Sequence, residues 1–494
     1  MKSFILITLI SISFLNHSFA QEKEELVQTI SVKNGVVDTI YTTKPYRDSV
    51  RLVNQKKWQE KRMIKYKKEA QVRHSQFLEN NRKDTITELN LNLLDLHLIP
   101  EEVSLCTSLK SLSLSVNQLS ATQNILLPQS ITKLDITDNN LGQIPNFIYT
   151  LPNLKELSIS SNNISHISRK IRKLKNLNAL NLSNNNLSQN ELKVARNKNV
   201  EILNLGNNEL KEIPKHAKKF KGLKELYVIN NNIAQIPTSL KRQKKLVTLN
   251  LNNNPISLEN QNLARFKYLK KLQLNSCDIT KIPESLFLMN NLQELQLGRN
   301  AITEIPNGIS KMHNLHTLLL YKNNIEILPD GLFECKKLSS LDLYYNNISK
   351  IPDAIGELTS LKKLYLSYNN IYSVSDSIGK LAGLEKLYLH HNKLSYITPA
   401  ISYLQNLKVL HLHNNRFTEV PNAIFQLHRL TDLNMSNNEI EVIPNTIMSL
   451  AGLEMLIVNG NPFSRDSAKL DEMKFMETYF DQKNVLFNYY VSPD

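Results

Sequence analysis

The chain has 494 residues, with 60 Lys and Arg against 45 Asp and Glu, and a formal net charge of +15 at pH 7. A hydrophobic fraction of 41% is ordinary for a folded protein, and only 12 glycines argue against a flexible, low-complexity chain. More than half of the positive excess is confined to one segment, which argues against nucleic acid as a partner.

Residues 1–20 carry Lys2, an apolar run from Phe4 to Leu15 and the small-x-small ending Ser18-Phe19-Ala20. This is the pattern of a secretory signal peptide cleaved before Gln21, and the run is too short for a membrane anchor. The expected location is therefore secreted, periplasmic or cell-envelope. Ile30–Val32 and Val36–Ile40 flank Asn34-Gly35, which predicts a hairpin. Residues 51–83 come next, with eleven Lys/Arg against Glu60, Glu69 and Glu79, a balance of +8, and with no Gly or Pro. Trp58, Ile64, Val72, Phe77 and Leu78 at roughly helical intervals predict a basic helix that covers the open N-terminal end of the segment beginning at Ile86. Such a segment can also touch an anionic surface. Residues 21–85 are thus expected to form a hairpin and a basic helical cap.

From Ile86 the chain repeats. Leu338–Pro352, LSSLDLYYNNISKIP, shows the unit, and the same frame returns 17 times between Ile86 and Phe463 with a period of 23 residues. Leu341 and Leu343 alternate with Asp342 and Tyr344 as strand residues do, one set facing a core and the other facing solvent. One copy cannot bury its own apolar face, so stability requires stacking on the next. Asn346, at the ninth position, turns the chain off the strand, Ile348 and Ile351 refill the core, and Pro352 fixes the return. Departures are few. Leu94 and Cys277 stand in the Asn place, and the step from Asn117 to Asn139 is one residue short. A thiol, as a weak donor, can partly replace the amide at Cys277.

This pattern resembles the leucine-rich repeat family, in its 23-residue class with an Ile-Pro step. The resemblance implies an α/β fold: a right-handed solenoid or horseshoe with a parallel β-sheet on the concave face, short 3-10 or irregular turns on the convex face, and helical caps. It also implies a function in binding other proteins. Family members outside bacteria usually carry cysteine-rich caps, so their absence here points to a bacterial protein. The three cysteines, Cys106, Cys277 and Cys335, all fall inside the array and are expected to be buried thiols.

The solvent-facing columns of the sheet are the third, fifth, seventh and eighth positions. Through the tenth copy they are mostly small and polar, as in Ser111, Ser113 and Ser115 or Asn250, Asn252 and Asn253. From the eleventh to the fifteenth they change. The fifth position reads Leu319, Asp342, Tyr365, Tyr388, His411; the seventh Tyr321, Tyr344, Ser367, His390, His413; the eighth Lys322, Tyr345, Tyr368, His391, Asn414. Strands about 4.8 Å apart would join these side chains into one patch. Tyr, a rigid apolar body with a polar tip, suits a recognition surface.

The expected ligand of Leu319, Tyr321, Lys322, Tyr344, Tyr345, Tyr365, Tyr368, Tyr388, His390, His391, His411 and His413 is a protein or peptide, with Lys363, Lys386 and Arg416 as a rim. A glycan stacking on the rings, and a purely structural scaffold, are the alternatives. His411-x-His413 with His390 brings three imidazoles near one point, but no carboxylate is evident beside them, so no metal and no cofactor are expected. Free histidines would make binding change near pH 6 to 7.

Residues 464–494 leave the frame. Asp466–Phe480 is expected to be helical and Val485–Tyr490 to add a last strand, with Met473, Phe475, Met476, Phe480 and Phe487 as a lid. The expected division is 1–20, 21–85, 86–463 and 464–494. No phosphate loop, H-E-x-x-H or nucleophile motif is present, and the flanks are short, so catalysis is not expected.

Overall fold

The computed structural model describes residues 26–33, 36–188, 199–213, 220–236, 240, 243–259, 261–465 and 467–489. The expected export segment, 1–20, lies outside them. The chain divides into two compact units, residues 1–69 with 493–494, and residues 70–492.

In the first unit, Leu26–Lys33 pairs antiparallel with Val36–Thr43, with Lys33 opposite Val36. The next element is a helix over Lys44–Glu79, which starts seven residues before the basic segment and has its last ten residues in the second unit. The apolar residues expected to face inward do not share a side. Trp58, Ile64, Val72 and Leu78 are 59%, 58%, 57% and 43% exposed, and of that set only Phe77 joins the core. The stripe that is buried or half-buried is Met63, Tyr66, Ala70, His74 and Phe77, spaced by three or four residues. Ala70 is small and His74 polar, so this stripe is a weaker sequence signal than the larger apolar residues that turn out exposed.

In the second unit each repeat contributes a three-residue strand, and Leu486–Asn488 adds an eighteenth. The parallel ladder runs unbroken from Glu88–Asn90 to Leu486–Asn488. Each of those terminal strands is paired on one side, so the sheet is open rather than a closed barrel. Leu338, Leu341, Leu343, Ile348, Ile351 and Ile355 are all fully buried, each contributing about 1.5–3 kcal/mol of apolar burial. On the return side, Pro145, Pro306, Pro352, Pro421 and Pro444 each precede a five-residue 3-10 turn, where a missing N–H costs no ladder bond.

The ninth-position Asn ties neighbouring coils together. Asn346 Nδ2 donates to Leu320 O and Leu343 O, both at 3.0 Å, while Oδ1 accepts from Ile325 N–H at 3.0 Å. The same arrangement recurs at Asn323, Asn369, Asn392 and Asn415. At Cys277 the thiol takes over as donor, 3.3 Å from Leu251 O and 3.4 Å from Asn275 O. The amide left without an acceptor, Ile256 N–H, turns to Asn254 O at 2.7 Å. All three cysteines are free and buried.

The eighth position has a property that the repeat frame did not reveal: in all 17 repeats, from Leu93 to Gly460, its φ is positive. Asn holds it in six repeats (Asn184, Asn207, Asn230, Asn253, Asn414, Asn437), as expected for left-handed backbone.

At the C-terminal end, the helix Ser467–Gln482 and the last strand seat Met473, Met476 and Phe480 in the core, with Phe487 packed against it. Phe475, expected in that lid, is instead 65% exposed, because it falls on the opposite side of the helix from Met473 and Met476. Among the described residues no helix is long and apolar enough to cross a membrane.

Candidate functional site

The sheet register places the fifth-position column in direct line: Leu319 opposite Asp342, Asp342 opposite Tyr365, Tyr365 opposite Tyr388, and Tyr388 opposite His411. Because the strands are parallel and in register, each ring meets its counterpart one repeat away. Tyr365 and Tyr388 stack at 4.9 Å between centroids with 7° between planes, and His411 meets Tyr388 edge-on at 4.9 Å.

Ring contacts continue into the seventh and eighth columns. Tyr344 meets Tyr368 edge-on at 5.2 Å, Tyr345 stacks on Tyr368 at 5.7 Å, and Tyr368 stacks on His391 at 3.9 Å. His390 stacks on His413 at 4.2 Å, and His411 lies 5.7 Å from His413 and 6.0 Å from His390. Nine of the twelve expected residues therefore form one connected network of rings. Of the other three, Lys322 touches it, while Leu319 and Tyr321 lie in the repeat before it. Lys322 Nζ sits 5.7 Å from the Tyr345 ring centre, Leu319 continues the fifth column, and Tyr321 lies over Gly298, where a Cβ would come within 2.3 Å of the Tyr321 ring. None is sealed in the core.

Tyr345, Tyr368 and His391 occupy the left-handed eighth position, with φ of 58°, 56° and 53°. For a bulky side chain this conformation costs roughly 1–2 kcal/mol, a cost that Asn or Gly avoids in seven of the other fourteen repeats and that Leu93, Val116 and Arg299 also carry.

Two partners of the histidines were not anticipated. Asp432 Oδ2 lies 3.1 Å from His411 Nε2, and Ser367 Oγ lies 2.8 Å from His390 Nδ1. Contrary to expectation, then, a carboxylate does stand beside the imidazoles. Asp432 is the third residue of the sixteenth copy, opposite Val409, one repeat past the columns that change character. Only the sheet register makes it a neighbour of His411.

Burial sets the protonation of the cluster. His390 is pushed down to about 3, first by desolvation and then by His413, His411 and His391. His413 is pushed down to about 4, again first by desolvation, then by His411 and His391, with Asp432 pulling the other way. Desolvation also lowers His391. His390 and His413 stay neutral at pH 6 to 7, so the expected change of binding in that range does not come from those two rings. Burial raises the phenols of Tyr344, Tyr365 and Tyr388, which remain hydrogen-bond donors at neutral pH. Ser367 and Asp432 engage different imidazoles, and Ser367 is buried, so they do not line up as a nucleophile, base and orienting acid.

Family models agree with the repeat geometry. The model described as leucine rich repeat matches residues 129–187, 198–256 and 405–463, that for a leucine-rich repeat region matches 255–396, and that for two copies of the repeat matches 382–426. The chain belongs to the leucine-rich repeat family. Among solved structures it is similar to a leucine-rich repeat protein of Leptospira interrogans, at 28% identity and a TM-score of 0.67, covering 83% of this chain and 97% of that one. It is also similar to a TDR receptor, at 25% identity and a TM-score of 0.53, covering 72% and 68%. An internalin of Listeria monocytogenes shares the fold at 23% identity and a TM-score of 0.50, over 60% and 85% of the two chains. Comparison with curated proteins gives no match.

Proposed function

We propose that this is a non-catalytic binding protein, and that the sheet face from Leu319 to His413 recognises a protein or peptide partner. One observation carries the reading: nine rings in one connected network on a solvent-facing sheet. Leucine-rich repeats characteristically act as protein-interaction modules, and Tyr-rich faces bury large area at low entropic cost. Lys363 and Arg416 are exposed and Lys386 half-exposed, which supplies a polar rim. Export by the 1–20 segment would place this face outside the cytoplasm. The helical turns around Phe77 and Phe480 serve as caps that shield the first and last coils.

The test uses the immobilised full chain beside a Tyr365→Ala/Tyr388→Ala variant with an unchanged circular dichroism spectrum. Both are offered envelope and extracellular proteins, and in parallel a glycan array. A protein retained by the wild type and lost by the variant supports the reading. A glycan lost in the same way changes the ligand class to carbohydrate, and identical retention by both chains refutes a role for this face.

A further inference from the structure

We propose that His390, His411 and His413 bind one divalent transition-metal ion of the zinc type, with Asp432 and Ser367 orienting the ligands. The inference does not rest on the partner-binding reading. One ligand nitrogen from each of the three imidazoles lies within 4.8 Å of the other two. Zinc–nitrogen bonds of about 2.0–2.1 Å in a tetrahedron set nitrogens about 3.3 Å apart, so each pair has to close by no more than about 1.5 Å. Small rotations about the side-chain torsions supply that. The rings of His390 and His413, now parallel at 4.2 Å, would splay to aim their lone pairs at a common point.

The surroundings fit a metal site better than a surface adapted only for contact. His411 Nε2–H donates to Asp432 Oδ2, which leaves Nδ1 of that ring uncommitted, and the contact of His390 Nδ1 with Ser367 leaves its Nε2 uncommitted. A carboxylate on the far nitrogen of a ligating imidazole is the usual device for fixing tautomer and orientation. His413 Nδ1 and Asp432 Oδ1 are buried with no hydrogen-bond partner. Two orphaned buried polar atoms in one cluster are costly unless something polar joins them. Three nitrogen ligands leave a fourth position on the ion for water or for an atom of a partner. Imidazole selects zinc, copper, nickel or cobalt over calcium and magnesium, which prefer oxygen. His391 does not belong to the set, because its ring packs on Tyr368 and its Nε2 meets Asn414.

The experiment titrates the untagged, chelator-treated full chain with Zn²⁺ by calorimetry at pH 7, and with Co²⁺ by visible absorption. The expected result is one equivalent bound with micromolar or tighter affinity, with the intense visible bands of tetrahedral Co²⁺, and no binding of Mg²⁺. His411→Ala and His390→Ala should each weaken binding at least 100-fold. Asp432→Asn, which touches no metal, should weaken it about 10- to 100-fold. Circular dichroism checks that each variant is folded, and if one histidine variant is not, His413→Gln and Asp432→Asn decide. Absence of a one-to-one site, or a site whose affinity is unchanged in the folded variants, overturns the proposal.

Discussion

Tyr368 tests whether the ring face costs stability. Its ring touches Tyr344, Tyr345, His390 and His391, at centroid distances of 5.2, 5.7, 5.8 and 3.9 Å, and the residue is 36% exposed. At the low end suited to a part-exposed ring, about 0.5 kcal/mol per aromatic contact, the four sum to about 2 kcal/mol. Against this stands a left-handed φ of 56°, costing about 1 kcal/mol for a side chain that is neither Asn nor Gly. Tyr368→Ala removes the ring and keeps the strain, so it should destabilise by about 2 kcal/mol. Tyr368→Asn removes the ring and relieves the strain, so its loss should be about 1 kcal/mol smaller. Urea unfolding of both variants, followed by far-ultraviolet circular dichroism and compared at equal m-value, measures the difference. An Asn variant no more stable than the Ala variant would falsify the strain argument, and with it the claim that the ring is kept at a cost.

The inter-coil ladder makes a second prediction at Asn346, which is 5% exposed. Asn346→Ala leaves Leu320 O, Leu343 O and Ile325 N–H without their partner and should cost about 3 kcal/mol, whereas Asn346→Cys, which keeps a donor as Cys277 does, should cost about half as much. Equal losses in urea unfolding would show that the donor half of the ladder contributes little. A third concerns Asp342, whose carboxyl is raised above the usual range by desolvation, against the pull of the Tyr344 N–H that it accepts at 3.0 Å. Asn accepts the corresponding N–H in other repeats, as Asn181 and Asn434 do, so Asp342→Asn keeps the bond and removes a half-buried charge. A folded-state pKa above the unfolded one means that ionised Asp342 destabilises the fold at neutral pH and that the penalty fades as pH falls. The variant should therefore be more stable than wild type at pH 7 and equal to it at low pH; a difference independent of pH would show that desolvation is not its cause.

The sequence by itself determined the scaffold, the number of repeats, and the columns that carry Tyr and His. A strict period leaves one way to bury Leu341, Leu343 and Ile348, and the strand alternation then sends Asp342 and Tyr344 to the other face. Sequence also sufficed for Cys277, because its repeat position dictates which carbonyls the thiol meets. What the tertiary structure decided lies between repeats and in the backbone. Asp432 reaches His411 from 21 residues away because parallel strands stand in register, a relation that no local motif contains. The left-handed eighth position comes from the turn geometry, and Tyr, His and Lys mask it where Asn would have signalled it. The inward stripe of the long helix uses Ala70 and His74, and the low pKa values of His390 and His413 come from desolvation and crowding, which exist only once the coils have stacked.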